Sequence, residues 1–510
     1  MRQTYDVIII GGGVVGSAIA RELSRYKLKI AVLEKELDVC TETSGRNSAV
    51  LHAGFNNRPG SLMAKFCVEG NSGFDRTARE LDIPFKRTGK VVVGFDEEDL
   101  AGLKALKDQG DRNGCPGLEL IDHNRIKELA PFLDGEFALY SPMTGILNTF
   151  TYTIALAENA HQNGVEYFFD REVTGIVRTD QSETGINRGS PEYEIQTKSG
   201  KSLIKDGLSR TPYEHFRTRW VINSAGLNAD VIARMLGNSD YTIYPCRGEY
   251  SILDRKLAPY LTMPAYPVPN AKTGGLGIHL TPTIDGTILI GPSAEYIDAK
   301  DDYASTQSVM DLLIEDGARI FPPLQANSII RSYTGIRPKL VSKNMGGYAD
   351  FLIEERDTYP QAINLIGIES PGLTSSLPIA RRIVEMIGQK EYLQSNPDFD
   401  PHRNGILCFK DQTRDRQRSL IQSDPNYGEI ICRCETVTRA EILAAIRNPL
   451  GVSTLSGIKV RTRAMMGRCQ GGYCQTRITE LLMQEKNLQP QEVLYLRNSS
   501  NMFTGRVRDI

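Results

Sequence analysis

A buried strand that runs into a glycine-rich turn and then a helix constrains this chain more than any other feature. Val7-Ile8-Ile9-Ile10 is a continuous apolar, β-rich run, the pattern of a strand covered on both faces in a parallel sheet. Gly11-Gly12-Gly13-Val14-Val15-Gly16 comes at once, and residues 17–23 then have helical spacing. A second apolar run, Ile30-Ala31-Val32-Leu33, ends on Glu34, 18 residues past the last glycine. Each part has a mechanical use. Gly11 permits the tight turn, Gly13 lets a pyrophosphate approach the backbone, and Gly16 lets helix and strand pack closely. The helix N-terminus offers free N–H groups to phosphates, and Glu34 can accept hydrogen bonds from ribose hydroxyls. The pattern predicts a dinucleotide site in a Rossmann-like α/β fold. Spacing alone does not separate a nicotinamide from a flavin.

The residues after Glu34 favour the flavin. Lys35 leads out of the second strand, and Thr43-Ser44-Gly45-Arg46-Asn47-Ser48 is rich in small and hydroxyl residues that let backbone pass close to a flat ring system. The chain then leaves the βαβ series. A strand is expected at residues 90–95, a helix at 153–163, and a strand pair near Val173 and at residues 220–223, closing on the Ala225-Gly226 turn. Residues 195–218 are polar and read as an exposed loop. Residues 240–330 read as a largely β lobe, and an apolar strand at 363–368 leads through Gly372-Leu373-Thr374 into a helix at about 378–387. The expected architecture is α/β. A Rossmann-like FAD-binding domain (1–388; FAD-binding parts about 1–80, 150–235 and 330–388) carries an inserted mixed-β substrate lobe (about 81–149 and 236–329). A linker (389–428), a small helical C-terminal [2Fe-2S]-binding domain (429–485) and a tail (486–510) complete the chain.

Composition removes several classes. Sixty Lys plus Arg against 62 Asp plus Glu leave a net charge of −2, so no basic excess draws the chain to nucleic acid. No run approaches the roughly 18 apolar residues of a membrane span. The N-terminus turns straight into a strand, leaving no room for a signal peptide. Nine cysteines, an odd and thinly spread set, suit a reducing compartment, and the expectation is a cytoplasmic protein.

Four of the nine crowd into the last 80 residues as Cys432-Arg433-Cys434 and Cys469-Gln470-Gly471-Gly472-Tyr473-Cys474. Two local pairs of thiolates, separated by 34 residues, suit a metal or cluster site. Structural zinc more often uses C-x2-4-C pairs, so C-x-C with C-x4-C favours iron–sulfur, zinc being the alternative. Helix starts near Thr436 and Gln475 would aim N–H groups at an anionic cluster, reinforced by Arg433, Arg463 and Arg468.

The opening glycine motif with Glu34, the stretch Asn47-Ser48…His52-Ala53-Gly54 and the returning Gly367…Gly372 strand–helix resemble FAD-dependent oxidoreductases of the D-amino-acid-oxidase type. Pro59-Gly60-Ser61-Leu62, Tyr266-Pro267-Val268-Pro269 and Gly277-Ile278-His279-Leu280 resemble the L-2-hydroxyglutarate dehydrogenase branch. The distal cysteine unit is similar to the extension of anaerobic glycerol-3-phosphate dehydrogenase catalytic subunits and to bacterioferritin-associated-ferredoxin-like [2Fe-2S] modules. One departure stands out. Flavin glycerol-3-phosphate dehydrogenases generally carry Gly-Gly-Lys-Leu-Thr near the flavin, and here the matching string is Pro371-Gly372-Leu373-Thr374, without the Lys.

The resemblance implies an FAD dehydrogenase for a small anionic hydroxy substrate, glycerol 3-phosphate or a related 2-hydroxy acid. Electrons would leave through the cluster to a second flavoprotein or another electron-accepting subunit. Membrane contact would come only through such partners. Alternatives are L-2-hydroxyglutarate oxidation, amine or amino-acid oxidation, and an electron carrier whose flavin meets no substrate. Oxidising an alcohol needs a base and an anion anchor. His52 and His279 are the candidate bases, or else satisfied structural histidines. Arg337 before Pro338 is the candidate anchor, with Arg247 second. The flavin contacts implied are Gly11, Gly13, Val14, Val15, Gly16, Glu34, Lys35, Thr43, Ser44, Asn47, Ser48, Val173, Ala225, Gly226, Gly335, Gly372, Leu373 and Thr374.

Overall fold

The computed structural model describes residues 3–179, 192–200, 203–205, 208–210, 213–269 and 277–505. The apolar run at the start becomes the central strand Gln3–Ile10. It pairs in parallel with Ile30–Leu33 on one side and Tyr213–Asn223 on the other, with Ile8 opposite both Ala31 and Val221. Glu166–Phe168 extends the sheet beyond Ile30–Leu33, and Tyr359–Ile366 pairs in parallel with the end of Tyr213–Asn223. Residues on both faces of these strands are buried, as a continuous apolar pattern requires. Helices Val14–Leu23, Leu62–Leu81, Thr149–Gln162 and Gly372–Gly388 are packed together with the sheet around a core containing Ile9, Ile19, Trp220, Ile222, Ile363 and Ile383.

Within the expected loop at 195–218 the described residues form strands instead: Glu192–Lys198 pairs antiparallel with Tyr213–Asn223, and Leu203–Lys205 with Leu208–Arg210. Phe216, Thr218 and Trp220 point inward and alternate with charged, outward residues. That period of two, hidden among Arg and Glu, is the strand signal the composition masked. Glu192–Lys198 also separates Glu172–Thr179 from Tyr213–Asn223, so the strand pair expected there is a trio.

A second sheet of nine strands draws on two distant stretches of chain: Lys90–Gly94, Glu119–Asp122 and Phe137–Ser141 from the first, and strands between Tyr244 and Lys339 from the second. Its longest pairing sets Tyr244–Leu253 against Ile329–Lys339, with Cys246 opposite Arg337 and Tyr250 opposite Tyr333. Helix Gln307–Ile320 covers one face through Leu313 and Ile320.

The third unit is a two-strand hairpin, Ile430–Cys432 with Val437–Thr438, and the helices Arg439–Ile446, Leu455–Thr462 and Gln475–Lys486. Its first helix begins at Arg439, later than expected, because Thr438 caps it in a reciprocal box with Glu441 while Thr436 takes a left-handed turn. Residues 389–428, the expected linker, are mostly exposed or half-buried and are tied down at a few points. Buried Arg403 bonds Glu158 at 2.6 Å, and Asn159 donates to the Asp400 carbonyl. The stretch after the last helix is also docked: Val493 is buried, and Arg497 pairs with Glu36 and Glu42. Among the described residues, no helix is long and apolar enough to cross a membrane.

Candidate active site

A cavity of about 1500 Å³ opens at the carboxyl ends of the parallel strands and reaches the second sheet. This is where open α/β sheets bind ligands. Gly11 has φ +106°, a conformation other L-residues adopt only with strain. A Cβ added at Gly16 would lie 2.0 Å from the Gly11 carbonyl oxygen, so the first helix can sit on the turn only with glycine there. Glu34 is buried. Its Oε2 accepts the Gly12 N–H at 2.6 Å and its Oε1 the Glu36 N–H at 2.9 Å, while burial raises its pKa. Ser44 Oγ accepts the Val14 N–H at 2.9 Å, and Asn47 donates to the Ser44 carbonyl at 2.7 Å, folding the 43–48 stretch along the cavity.

Of the expected flavin contacts, all but two line this cavity. Gly16 lies beneath the turn. Thr374 accepts the His52 backbone N–H at 3.0 Å and so fixes that segment. Lys35 lines the wall but is engaged by Glu36 and Glu42. Glycines closed to side chains, a buried acid at the end of the second strand and a long trough fit FAD.

The far end of the cavity is polar. Neither ring nitrogen of His52 has a hydrogen-bond partner among the described residues, and desolvation, with Lys90 nearby, pushes its pKa down to about 3. The ring is therefore neutral near pH 7. His279 is more constrained. Its Nδ1 faces the Gly277 carbonyl at 3.1 Å and so carries the proton, which leaves the Nε2 lone pair 3.2 Å from Ser48 Oγ. Ser48 also meets the Tyr250 hydroxyl at 3.2 Å. Burial lowers the His279 pKa too.

Arg337 and Arg247 part company here. The Arg337 Nη2 donates to the Ser293 carbonyl at 2.6 Å and to the Arg247 carbonyl at 3.4 Å, and no carboxylate pairs with it among the described residues. Arg247 is ringed by carboxylates: Glu295 at 2.6 Å, Asp302 at 2.8 Å and Glu249 at 3.9 Å. Arg247 also lines the cavity, but its charge is answered within the protein by these carboxylates, whereas that of Arg337 is not among the described residues.

Sequence reasoning missed Lys90. It heads a buried apolar strand, is 1% exposed, and sets its Nζ 3.7 Å from the centroid of the Tyr266 ring. His279 stacks on Tyr266 at 3.7 Å and 10°. Two groups that close to one centroid must occupy opposite faces, so Tyr266 is sandwiched. Burial lowers the Lys90 pKa to about 7. A lysine at the head of a Val-Val-Val run was the available signal.

The four distal cysteines form two pairs. The Cys474 thiol lies beside Cys432 and lowers its pKa to about 6, and Cys434 lies beside Cys469. Among the described residues, no three His, Cys, Asp or Glu side chains surround one point suited to a single ion. Two pairs suit a binuclear cluster better than one mononuclear cage. Cys432 and Cys474 are buried, Cys434 and Cys469 exposed. Helix Gln475–Lys486 starts directly after Cys474, and a Cβ at Gly467 would sit 2.3 Å from Cys434 Cβ. Of the supporting arginines, Arg463 is bound to Asp285 and Glu435, while Arg433 lies over the Tyr473 ring at 4.3 Å.

Fold, glycine cradle and paired cysteines together define a flavoprotein oxidoreductase with an iron–sulfur unit. Comparison agrees: residues 6–386 match the FAD dependent oxidoreductase family, and residues 430–484 match the BFD-like [2Fe-2S] binding domain. The chain belongs to the FAD dependent oxidoreductase family, and its cofactors are FAD and a [2Fe-2S] cluster. It is 36% identical over 504 residues to a glycerol 3-phosphate dehydrogenase of Caloramator mitchellensis, covering 98% of both chains. It is 33% identical to the mitochondrial L-2-hydroxyglutarate dehydrogenase of Arabidopsis thaliana, covering 75% of this chain and 83% of that one. Among solved structures, L-alpha-glycerophosphate oxidase from Mycoplasma pneumoniae with FAD bound aligns at TM-score 0.69 and 27% identity, over 79% of this chain and 99% of that one.

Proposed function

We propose that this protein is a dehydrogenase subunit that oxidises the secondary alcohol of glycerol 3-phosphate and passes the electrons through its C-terminal cluster to a partner protein. The observation that carries the reading is Arg337: a cavity-lining guanidinium, oriented by two backbone carbonyls, with no carboxylate to neutralise it among the described residues. A planar fork held that way suits a phosphate or carboxylate bidentately. The Caloramator relative supports the phosphate ester, because its likeness runs through the cysteine unit as well as the flavin domain. Cys432, Cys434, Cys469 and Cys474 are the proposed cluster ligands.

Bound FAD supplies a two-electron hydride acceptor, and the cluster a one-electron carrier. The chain's own residues do the rest. Arg337 fixes the anionic end of the substrate. His52, neutral and with both ring nitrogens free of partners among the described residues, takes the hydroxyl proton on a ring nitrogen. The Tyr250–Ser48–His279 chain holds a second acceptor beside it, with Tyr266 shielding the outer face of His279.

A 2-hydroxy acid is the second reading. The Arabidopsis relative and the absence of Lys from Pro371-Gly372-Leu373-Thr374 favour it. Anaerobic titration of the purified holoprotein separates the two. Rapid bleaching of the flavin absorbance by glycerol 3-phosphate, with slow or no bleaching by L-2-hydroxyglutarate or amino acids, is expected. The opposite order refutes the substrate.

A further inference from the structure

Glu369 lies past the strand Tyr359–Ile366, in the turn before helix Gly372–Gly388, and lines the same cavity as Arg337. It is 4% exposed. Lys339 Nζ donates to its Oε1 at 3.4 Å, and that ammonium also donates to the Gly347 carbonyl at 3.2 Å and lies 4.2 Å from the Tyr348 ring centroid. Its Oε2 has no hydrogen-bond partner among the described residues. A shielded carboxylate oxygen left without a donor is costly, and such a group in a native fold calls for an explanation.

The neighbourhood supplies one. Arg337 acts on Glu369 electrostatically, and Glu369 on Arg337, yet no ion pair within 4.0 Å joins them. The cavity is therefore lined by Arg337, with no carboxylate in ion-pair reach among the described residues, and by Glu369, whose Oε1 is paired with Lys339 while its Oε2 has no donor. A ligand that answers both carries an anionic group at one end and a hydrogen-bond donor at the other.

We infer that Glu369 sets substrate specificity: its carboxylate accepts a hydrogen bond from a substrate hydroxyl other than the one being oxidised. The pocket thereby selects a polyol monophosphate and disfavours a dicarboxylate. The inference rests on the glycerol 3-phosphate reading and narrows it. Glycerol 3-phosphate has a terminal hydroxyl to spare. L-2-hydroxyglutarate would bring a second carboxylate toward Glu369, and two like charges in a desolvated site repel.

The test uses the holoenzyme and two substrates, glycerol 3-phosphate and 2-hydroxypropyl phosphate, which keeps the phosphate and the reacting alcohol but lacks the terminal hydroxyl. Wild-type kcat/KM is expected to favour glycerol 3-phosphate by about 30-fold or more, the range of a hydrogen bond to a charged group. Glu369→Ala should bring the two within about 3-fold, mainly by losing activity on glycerol 3-phosphate, and Glu369→Gln, which retains an acceptor oxygen, should fall between. The wild-type ratio decides even where a variant folds poorly. A wild-type ratio under about 3-fold, or a ratio unchanged in a flavin-replete Glu369→Ala enzyme, overturns the inference and leaves the substrate reading standing. Bleaching by L-2-hydroxyglutarate with none by glycerol 3-phosphate overturns both.

Discussion

Replacing Arg337 with Ala is the sharpest perturbation of the proposed chemistry. The bonds Arg337 makes within the protein go to the Ser293 and Arg247 carbonyls, and no carboxylate depends on it among the described residues. Its removal takes one stabilising charge from the buried Glu369 but leaves that carboxylate its Lys339 partner at 3.4 Å, so folding and flavin content should survive. What is lost is a charged hydrogen-bond pair with the substrate in a desolvated site, about 2–5 kcal/mol. At about 1.4 kcal/mol per tenfold, kcat/KM for glycerol 3-phosphate should fall by roughly 30-fold to several thousandfold. Arg337→Lys should recover only part of this, because an ammonium lacks the planar fork. The assay is anaerobic stopped-flow reduction of the flavin against substrate concentration, with flavin occupancy measured on the same preparation. An Arg337→Ala enzyme with full flavin and near-normal kcat/KM refutes the anchor. Arg247→Ala is the contrast: it leaves Glu295, Asp302 and Glu249 without their cation, so it should lower Tm.

Gly16→Ala places a Cβ 2.0 Å from the Gly11 oxygen and should abolish stoichiometric FAD binding, read from the flavin absorbance of the purified protein. Cys434→Ser or Cys469→Ser should remove the cluster, taking iron and inorganic sulfide from about two each per chain to near zero while FAD is retained; stoichiometric zinc without sulfide in the wild type would contradict the assignment. His52→Ala should lower kcat by roughly a hundredfold or more, partly recovered at high pH; unchanged kcat would shift the role to His279. Since His52 titrates at about 3, it is unprotonated well below neutrality and should give no acid limb near pH 6.5. Lys90 titrates at about 7 in the fold, below its ordinary value of 10.5, so the unfolded chain binds the extra proton between these values and stability should rise with pH across them. Lys90→Met should accordingly raise Tm at pH 6.5 by on the order of 5 °C, with a smaller gain at pH 9.5.

The flavin half of the site was legible because its requirements are local. A tight turn, a close helix and an acid at a strand end each demand a residue type at a fixed spacing, and Gly11, Gly16 and Glu34 meet those demands within one βαβ unit. The paired cysteines were legible for the same reason. The substrate half was legible only in part: Arg337, His52 and His279 stood out as residues, but what surrounds each comes from strands far apart in sequence. Pro338 sets Arg337 ahead of Arg247 in the sequence, but the difference in their partners comes only with the pairing of Tyr244–Leu253 and Ile329–Lys339 and the carboxylates at 295 and 302, which ring Arg247 and leave Arg337 with none among the described residues. Lys90, Glu369 and Lys339 went unnoticed because a charged residue is ordinarily an exposed one. Their burial is a property of the assembled sheets.

The third unit shows how far composition can mislead about independence. A polar, proline-bearing stretch before it suggested a tethered module, yet the contacts are those of a docked layer. Arg461 pairs with Asp38 at 2.5 and 2.9 Å, its side chain 2% exposed, and Leu450 and Val460 pack beside Val39 and Cys40. A buried pair of this kind fixes a register because any other seating would leave one of the two charges buried without its partner, which costs about 3–5 kcal/mol. Asp38 and the Arg497 partners Glu36 and Glu42 lie just after Glu34, at the flavin site, while Asp285 and Arg255 tie Arg463 and Glu435 to the substrate lobe. One strand joins the two ends. Ile329–Lys339 presents Arg331 to Gln470 at 2.9 Å, next to Cys469, and six residues later presents Arg337 to the cavity. At about 3.3 Å per residue that is roughly 20 Å. The cluster side and the proposed substrate anchor are thus set by one element of a sheet, and their separation is fixed by its rise, not by a linker.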